Sequence, residues 1–268
     1  MQDEMQQDRA RGVLVGLAAG DRNGGPVRMA ACLAASLAAL GRFDRADVLR
    51  RYLDWWRREG FDTGPVAARV FTLIDRGVEP NEAPKLVHAR GAGQTAGCNP
   101  AHRAAPLAAA LFLDDALARR CAREDAALTH HDPLAGDVAA ATVALCRALV
   151  RGMSWAEALS QAGEGCLEIT RAALAGGERQ NLRRDGYAPA VLQAAVAFVG
   201  AAPRFDAALT DALDFAGPAN YCPVLVGAIG GARWGASAMP ADLWDAGATR
   251  REGRIMTDLL AVLRVPQA

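Results

Sequence analysis

Apolar residues recur along this chain with a helical period almost from end to end, and no other property restricts its fold class so strongly. Alanine is abundant, β-branched runs are scarce, and apolar positions fall three and four apart instead of alternating. The pattern predicts an all-α protein with helices over about 4–20, 27–40, 44–59, 64–76, 81–90, 101–121, 133–151, 154–163, 166–175, 188–200, 205–216, 223–235 and 249–263. Local punctuation supports several of these. Asp44 is placed as an N-cap, Ser154 with Glu157 spells a capping box, and Pro189 suits a first helical turn. Gly41, Gly60, Gly77 and Gly152 stand where C-terminal caps belong.

At 268 residues and 51% hydrophobic content the chain can bury a large core. No low-complexity linker, charge run or fixed-period repeat divides it, so one domain spanning 1–268 is expected. Its 30 basic and 30 acidic residues cancel, which argues against nucleic acid or an anionic membrane as a partner. No stretch has the roughly 18 uninterrupted apolar residues of a membrane span. The six cysteines lie far apart, with no CxxC pair and no zinc-type histidine spacing, and read as reduced thiols. MQDEMQQDRARG lacks the basic start and apolar run of a secretory signal, so a cytoplasmic location is expected.

In so apolar a chain the polar clusters between helices carry the chemistry. Five stand out: Gly20 to Pro26, Gly60 to Pro65, Thr95 to Arg103, Thr129 to Pro133 and Gly217 to Pro223. Each joins a turn-forming Gly or Pro to hydrogen-bonding side chains and directly precedes an apolar helix. Were the helices to pack side by side, their N-terminal ends would converge, and unpaired amides at a positive dipole end suit a phosphate or carboxylate. Each island also has a plainer reading. Asp21, Asp62 and Asp132 suit N-caps or turns, and Cys98 and Cys222 suit small buried residues. Of the adjacent His130 and His131, one faces a site and the other does not. Arg22, Arg28 and Arg103 must be paired or bind an anion, with Arg28 and Asp62 one conceivable internal pair.

In order, these segments resemble those of the ADP-ribosylglycohydrolase family. RGVLVGLAAGD is similar to its first helix and Gly-Asp ending, and RYLDWWRREGFDTGPVAARVF to its Tyr/Trp helix followed by Phe-Asp-x-Gly. GCNPAHRAAPLAAAL resembles its Asn-Gly-x-x-Met-Arg-x-x-Pro-Leu segment, THHDPLAGDVAAATVAL its Thr-His loop, and GYAPAVLQAAVAF its late Gly-Tyr helix. FAGPANYCPVLVGAIGGARWGASAMPADLW resembles the closing helix that carries Gly-Gly-Asp-x-Asp-Thr. The resemblance implies an orthogonal all-α bundle and, in the family at large, two divalent cations, magnesium or manganese. Here Gly25, Pro26, Val27 and Arg28 stand where Thr-Asp-Asp is expected, and Pro218, Asn220 and Tyr221 where Asp-x-Asp-Thr is expected. Hard cations need several anionic oxygens, so no metal cofactor is expected.

What the resemblance preserves is Asp62, Asn99, Arg103 and His130. The expected activity is metal-free hydrolysis of a ribosyl N- or O-glycosidic bond in an ADP-ribosyl or related nucleotide compound, small or protein-linked. Asp62 is expected as the carboxylate at the ribose, His130 or His102 as the acid, and Asp132 as a second carboxylate. Asp21, Arg22, Asn23, Arg28, Thr63, Asn99, Arg103, Asn220 and Tyr221 are the expected binding residues, Arg22 and Arg28 supplying charge in place of the metals. The alternative is a binder of ADP-ribose, a related nucleotide or an ADP-ribosylated partner that does not turn it over. A purely structural module explains the islands least well.

Overall fold

The computed structural model describes residues 2–218, 221–240 and 250–266, the side chains of 250–253 excepted. Helices account for the described architecture, and the only pairing of extended backbone among those residues is an isolated antiparallel bridge between Gly97 and Tyr187.

Helices α1 (Gln2–Gly20) and α14 (Cys222–Trp234) run antiparallel with their main chains touching. Gly12, Gly16 and Gly20 recur every fourth residue and so share one face of α1. They meet Gly231, Gly227 and Pro223. A Cβ on Gly16 would lie 2.0 Å from the Gly227 carbonyl oxygen, and one on Gly227 would lie 1.9 Å from that of Gly16. Any side chain here would wedge the helices apart. The seam also brings the elbow after α1 beside the start of α14.

Helix α9 (Pro133–Val150) forms the centre, buried from Ala135 to Val150. By length and composition it could cross a membrane, yet 83% of it is buried inside the protein, among α8 (Asp115–Ala126), α10 (Trp155–Gly163), α12 (Ala188–Ala201) and α14. Asp132 caps it, accepting a hydrogen bond from the Leu134 amide at 3.0 Å. The expected caps recur elsewhere: Asp44 accepts from Ala46 and Asp47 at the start of α3 (Arg45–Glu59), and Ser154 with Glu157 closes a capping box on α10.

One expected helix is broken. The span 101–121 divides into α6 (Asn99–Arg103), α7 (Ala105–Ala109) and the start of α8. Pro106 cannot donate within a continuous helix, and Asp114 starts a new one by accepting from the Leu117 amide. Three carbonyls around the break share a side-chain donor that periodicity could not reveal. Arg147, 1% exposed, donates to the Leu107, Ala110 and Leu113 oxygens and pairs with Asp115 at 2.6 Å.

Candidate functional site

The first turns of four longer helices converge on one cavity of about 650 Å³. They belong to α4 (Pro65–Asp75), α9, α12 and α14, with short α6 between them. Gly64, Asp132, Tyr187 and Tyr221, each the residue ahead of its helix, line the wall, together with Cys98 and Asn99 of α6. Each of the four helices has a proline in its first turn (Pro65, Pro133, Pro189 and Pro223), where a missing amide costs nothing. Two loops complete the wall, 93–98 and the segment carrying Arg183, Gly186 and Tyr187. They are stitched together as the Cys98 amide donates to the Gly186 oxygen at 3.0 Å and the Ala188 amide to the Ala96 oxygen at 2.9 Å.

Beneath the cavity lies a wholly buried polar chain. Arg103 is 0% exposed, its Nε donating to Asp125 Oδ2 at 2.7 Å and its Nη2 to the Asp125 carbonyl at 2.6 Å. Tyr52 donates its hydroxyl to the other Asp125 oxygen at 2.8 Å and sets its ring against the guanidinium. The two hydrogens on Nη1 go to Asn99 Oδ1 and Thr129 Oγ1, each at 3.0 Å. Arg103, expected to bind substrate directly, is thus committed inside the core. It reaches the cavity only through the residues it holds, Asn99 in the wall and Thr129 behind it.

His130 and His131 face opposite ways. His130 is 3% exposed and borders the cavity, its Nδ1 2.8 Å from Thr129 Oγ1. His131 is exposed and sets its ring edge-to-face on His88, which bonds Thr95. Burial, aided by the Arg103 charge, pushes the His130 pKa down to about 3. His102 is also buried and is pushed down to about 4, its Nδ1 4.0 Å from Cys98 Sγ and its Nε2 without a hydrogen bond among the described residues. Both rings are therefore neutral at pH 7, which removes the stored proton that an acid role requires. The Cys98 thiol, pushed up to about 12 by burial, is no ready nucleophile.

The elbow after α1 is built differently from expectation. Asp21 spends both carboxylate oxygens on main-chain amides, those of Gly24 and Val27, each at 2.8 Å. It ties the elbow to the first turn of α2 (Gly25–Leu40). Arg22 donates to the Gly217 carbonyl, and Asn23 is exposed. Arg28 donates to the Gly24 carbonyl at 2.8 Å, lies over the Phe61 ring and lines a separate groove of about 490 Å³ with Cys32, Arg51 and Trp55. No ion pair joins it to Asp62. Arg28 therefore does not supply charge to the cavity in place of a metal. Asp62, exposed and at φ 50°, rests on the start of α2, where a Cβ on Gly25 would lie 2.4 Å from its carbonyl oxygen. Thr63 beside it is buried.

The ADP-ribosylglycohydrolase family model matches residues 27–267. The chain belongs to that family. A solved structure titled "ADP-ribosylglycohydrolase-related protein complex" superposes with a TM-score of 0.80 at 25% identity, covering 98% of this chain and 99% of its own. A search of curated proteins finds no match. Family membership raises the expectation of two hard cations, for which the described residues offer few anionic oxygens. Both oxygens of Asp21 are taken by amides, Pro218 has no side-chain oxygen, and no three His, Cys, Asp or Glu side chains converge among the described residues. Asn220 lies outside the described residues.

Of the expected residues in this family member, the cavity brings together Asn99, His130, Asp132 and Tyr221. Asp62 and Thr63 directly precede its lining at Gly64, while Asp21, Arg22, Asn23, Arg28, His102 and Arg103 do not line it. Arg183 and Tyr187 were not expected there. Tyr187 had a signal in the GYAPAVL resemblance, read as a helix match and not as part of a wall, whereas Arg183 lies before that segment and had none. Asp125, which anchors Arg103, has no local signature, since its partner is 22 residues away.

Proposed function

We propose that the cavity takes the ADP-ribosyl part of a small or protein-linked compound and that the chain hydrolyses its ribosyl N- or O-glycosidic bond without the family's metal pair. The observation that carries this is the convergence of four helix starts on a cavity whose volume suits a small ligand. Their positive dipole ends favour a diphosphate, with Arg183 the one arginine or lysine among the described residues of the wall. Tyr187 and Tyr221 offer aromatic faces to a base. Asp132 uses one oxygen on the Leu134 amide and keeps Oδ2 for ribose hydroxyls.

Cleavage at the ribose C1 builds oxocarbenium character, which a carboxylate stabilises directly or by activating water. In this reading Asp132, in the wall, and Asp62, two residues before Gly64, supply the carboxylates. The second reading, a binder without turnover, is favoured by the neutral state of His130 and His102, which leaves no imidazole charged to protonate a leaving group. Six free thiols, five of them buried, support a cytoplasmic setting.

Calorimetric titration with ADP-ribose, with and without magnesium, tests the cavity; binding independent of magnesium and weakened in Asp132→Asn is expected. No binding in either condition overturns both readings. Incubation with ADP-ribosyl-arginine and ADP-ribosyl-serine peptides then divides hydrolase from binder. Turnover that appears only with magnesium and stops with chelator contradicts the metal-free assignment.

A further inference from the structure

Three donors and acceptors in a row decide which nitrogen of His130 carries its hydrogen. Arg103 has only hydrogens to offer, so Thr129 Oγ1 must accept from Nη1 at 3.0 Å. The Thr129 side chain is wholly buried, and its Oγ1 has one other partner, His130 Nδ1 at 2.8 Å. If Nδ1 bore the hydrogen, Oγ1 would receive two N–H donors and its own hydrogen would have no acceptor in a site closed to water. A buried hydroxyl left so is disfavoured. With the hydrogen on Nε2 instead, Thr129 accepts from Arg103 and donates to Nδ1, and every group in the row is used.

The same row is held from behind. Asp125 takes Nε and Nη2 of Arg103, and Tyr52 takes the remaining Asp125 oxygen, so the guanidinium has no freedom to turn away from Thr129. In front, Nε2 makes no hydrogen bond to any described residue and borders the cavity. Gly97 keeps it open: a Cβ there would sit 3.0 Å from Nε2.

We infer that Thr129 is a positioning residue that locks His130 in its Nε2–H form, making that N–H a fixed donor for an acceptor oxygen of the cavity's ligand. The low basicity of the buried ring agrees, since the neutral form is the one present at pH 7. A donor that needs no rotation or proton uptake on binding suits a phosphate or ribose oxygen, so this inference rests on the ADP-ribosyl reading for its ligand and on the buried row alone for its tautomer.

The two parts separate experimentally. Nitrogen-15 spectra of histidine-labelled protein at pH 7, without ligand, report which ring nitrogen is protonated. The wild type is expected to show Nε2–H for His130, assigned by its loss in His130→Gln. Thr129→Val is expected to shift the ring toward the other tautomer and weaken ADP-ribose binding about tenfold. Thr129→Ser, which keeps the hydroxyl, restores both. Gly97→Ala is expected to weaken ADP-ribose binding while leaving the tautomer unchanged. Nδ1–H in the wild type overturns the inference, as does Thr129→Val that folds and binds like the wild type. Nε2–H in a protein that binds no ADP-ribose sustains the tautomer and counts against the ADP-ribosyl reading alone.

Discussion

Asp125 Oδ2 and Arg103 Nε lie 2.7 Å apart, and neither side chain has any surface open to solvent. This pair connects the core of the bundle to the cavity, because the same guanidinium holds Asn99 and Thr129.

Removing one partner of such a pair leaves an uncompensated buried charge. Asp125→Ala is expected to lower stability by about 3–5 kcal/mol, read from the shift in denaturant midpoint. A loss under about 1 kcal/mol would show that Arg103 finds water or another acceptor.

At the seam between α1 and α14, Gly227→Ala must push the helices apart, since its Cβ would meet the Gly16 carbonyl oxygen at 1.9 Å. The expected cost is about 1–3 kcal/mol or more. Gly136→Ala in α9 is the contrasting case, because its Cβ would meet Ala126 at an ordinary 3.6 Å. Lower backbone entropy in the unfolded chain is expected to make that variant about 0.5–1 kcal/mol more stable. Thermal melts of the two variants should move in opposite directions.

His130 and His102 give acid sensitivity of a defined sign. Their folded pKa values, about 3 and about 4, lie below the unfolded value of about 6.5, so the unfolded chain binds more protons as pH falls. Stability from each is complete above pH 6.5 and is lost as pH drops toward the folded value. Between pH 6.5 and 5 each is expected to cost about 2 kcal/mol, and His102→Gln should flatten the slope of stability against pH. An unchanged slope in that variant would mean its ring is already solvated.

Arg147→Lys keeps the charge and loses the fork. A lysine cannot span the three carbonyls of Leu107, Ala110 and Leu113 while also pairing with Asp115. A loss of about 2–4 kcal/mol is expected, with hydrogen exchange faster in α7 and the turn before α8. Wild-type exchange rates there would show that water serves those carbonyls as well.

The all-α class, most helix positions and the caps at Asp44 and Ser154 were legible because their causes are local: a period of apolar residues, and a side chain bonding an amide two or three residues on. The break of 101–121 was not, since the arginine that stabilises it comes from another helix. The islands were legible as places, and four of their expected site residues, Asn99, His130, Asp132 and Tyr221, do meet in one cavity. Which way each side chain turned was not. Arg28 went to Phe61, Asp21 to the start of α2 and Arg103 to Asp125, each taking a partner within the protein. Pairings across tens of residues leave no mark on composition or spacing.

The meeting of α1 and α14 is made of carbonyls and bare glycine α-carbons, with no side-chain chemistry in it. A scaffold joined in that way can keep its shape while the loops hung from it change, so the start of α14 stays at the wall of the cavity whatever side chains the loop before it carries. Architecture and chemistry are thereby carried by different atoms, and one can drift without dragging the other along.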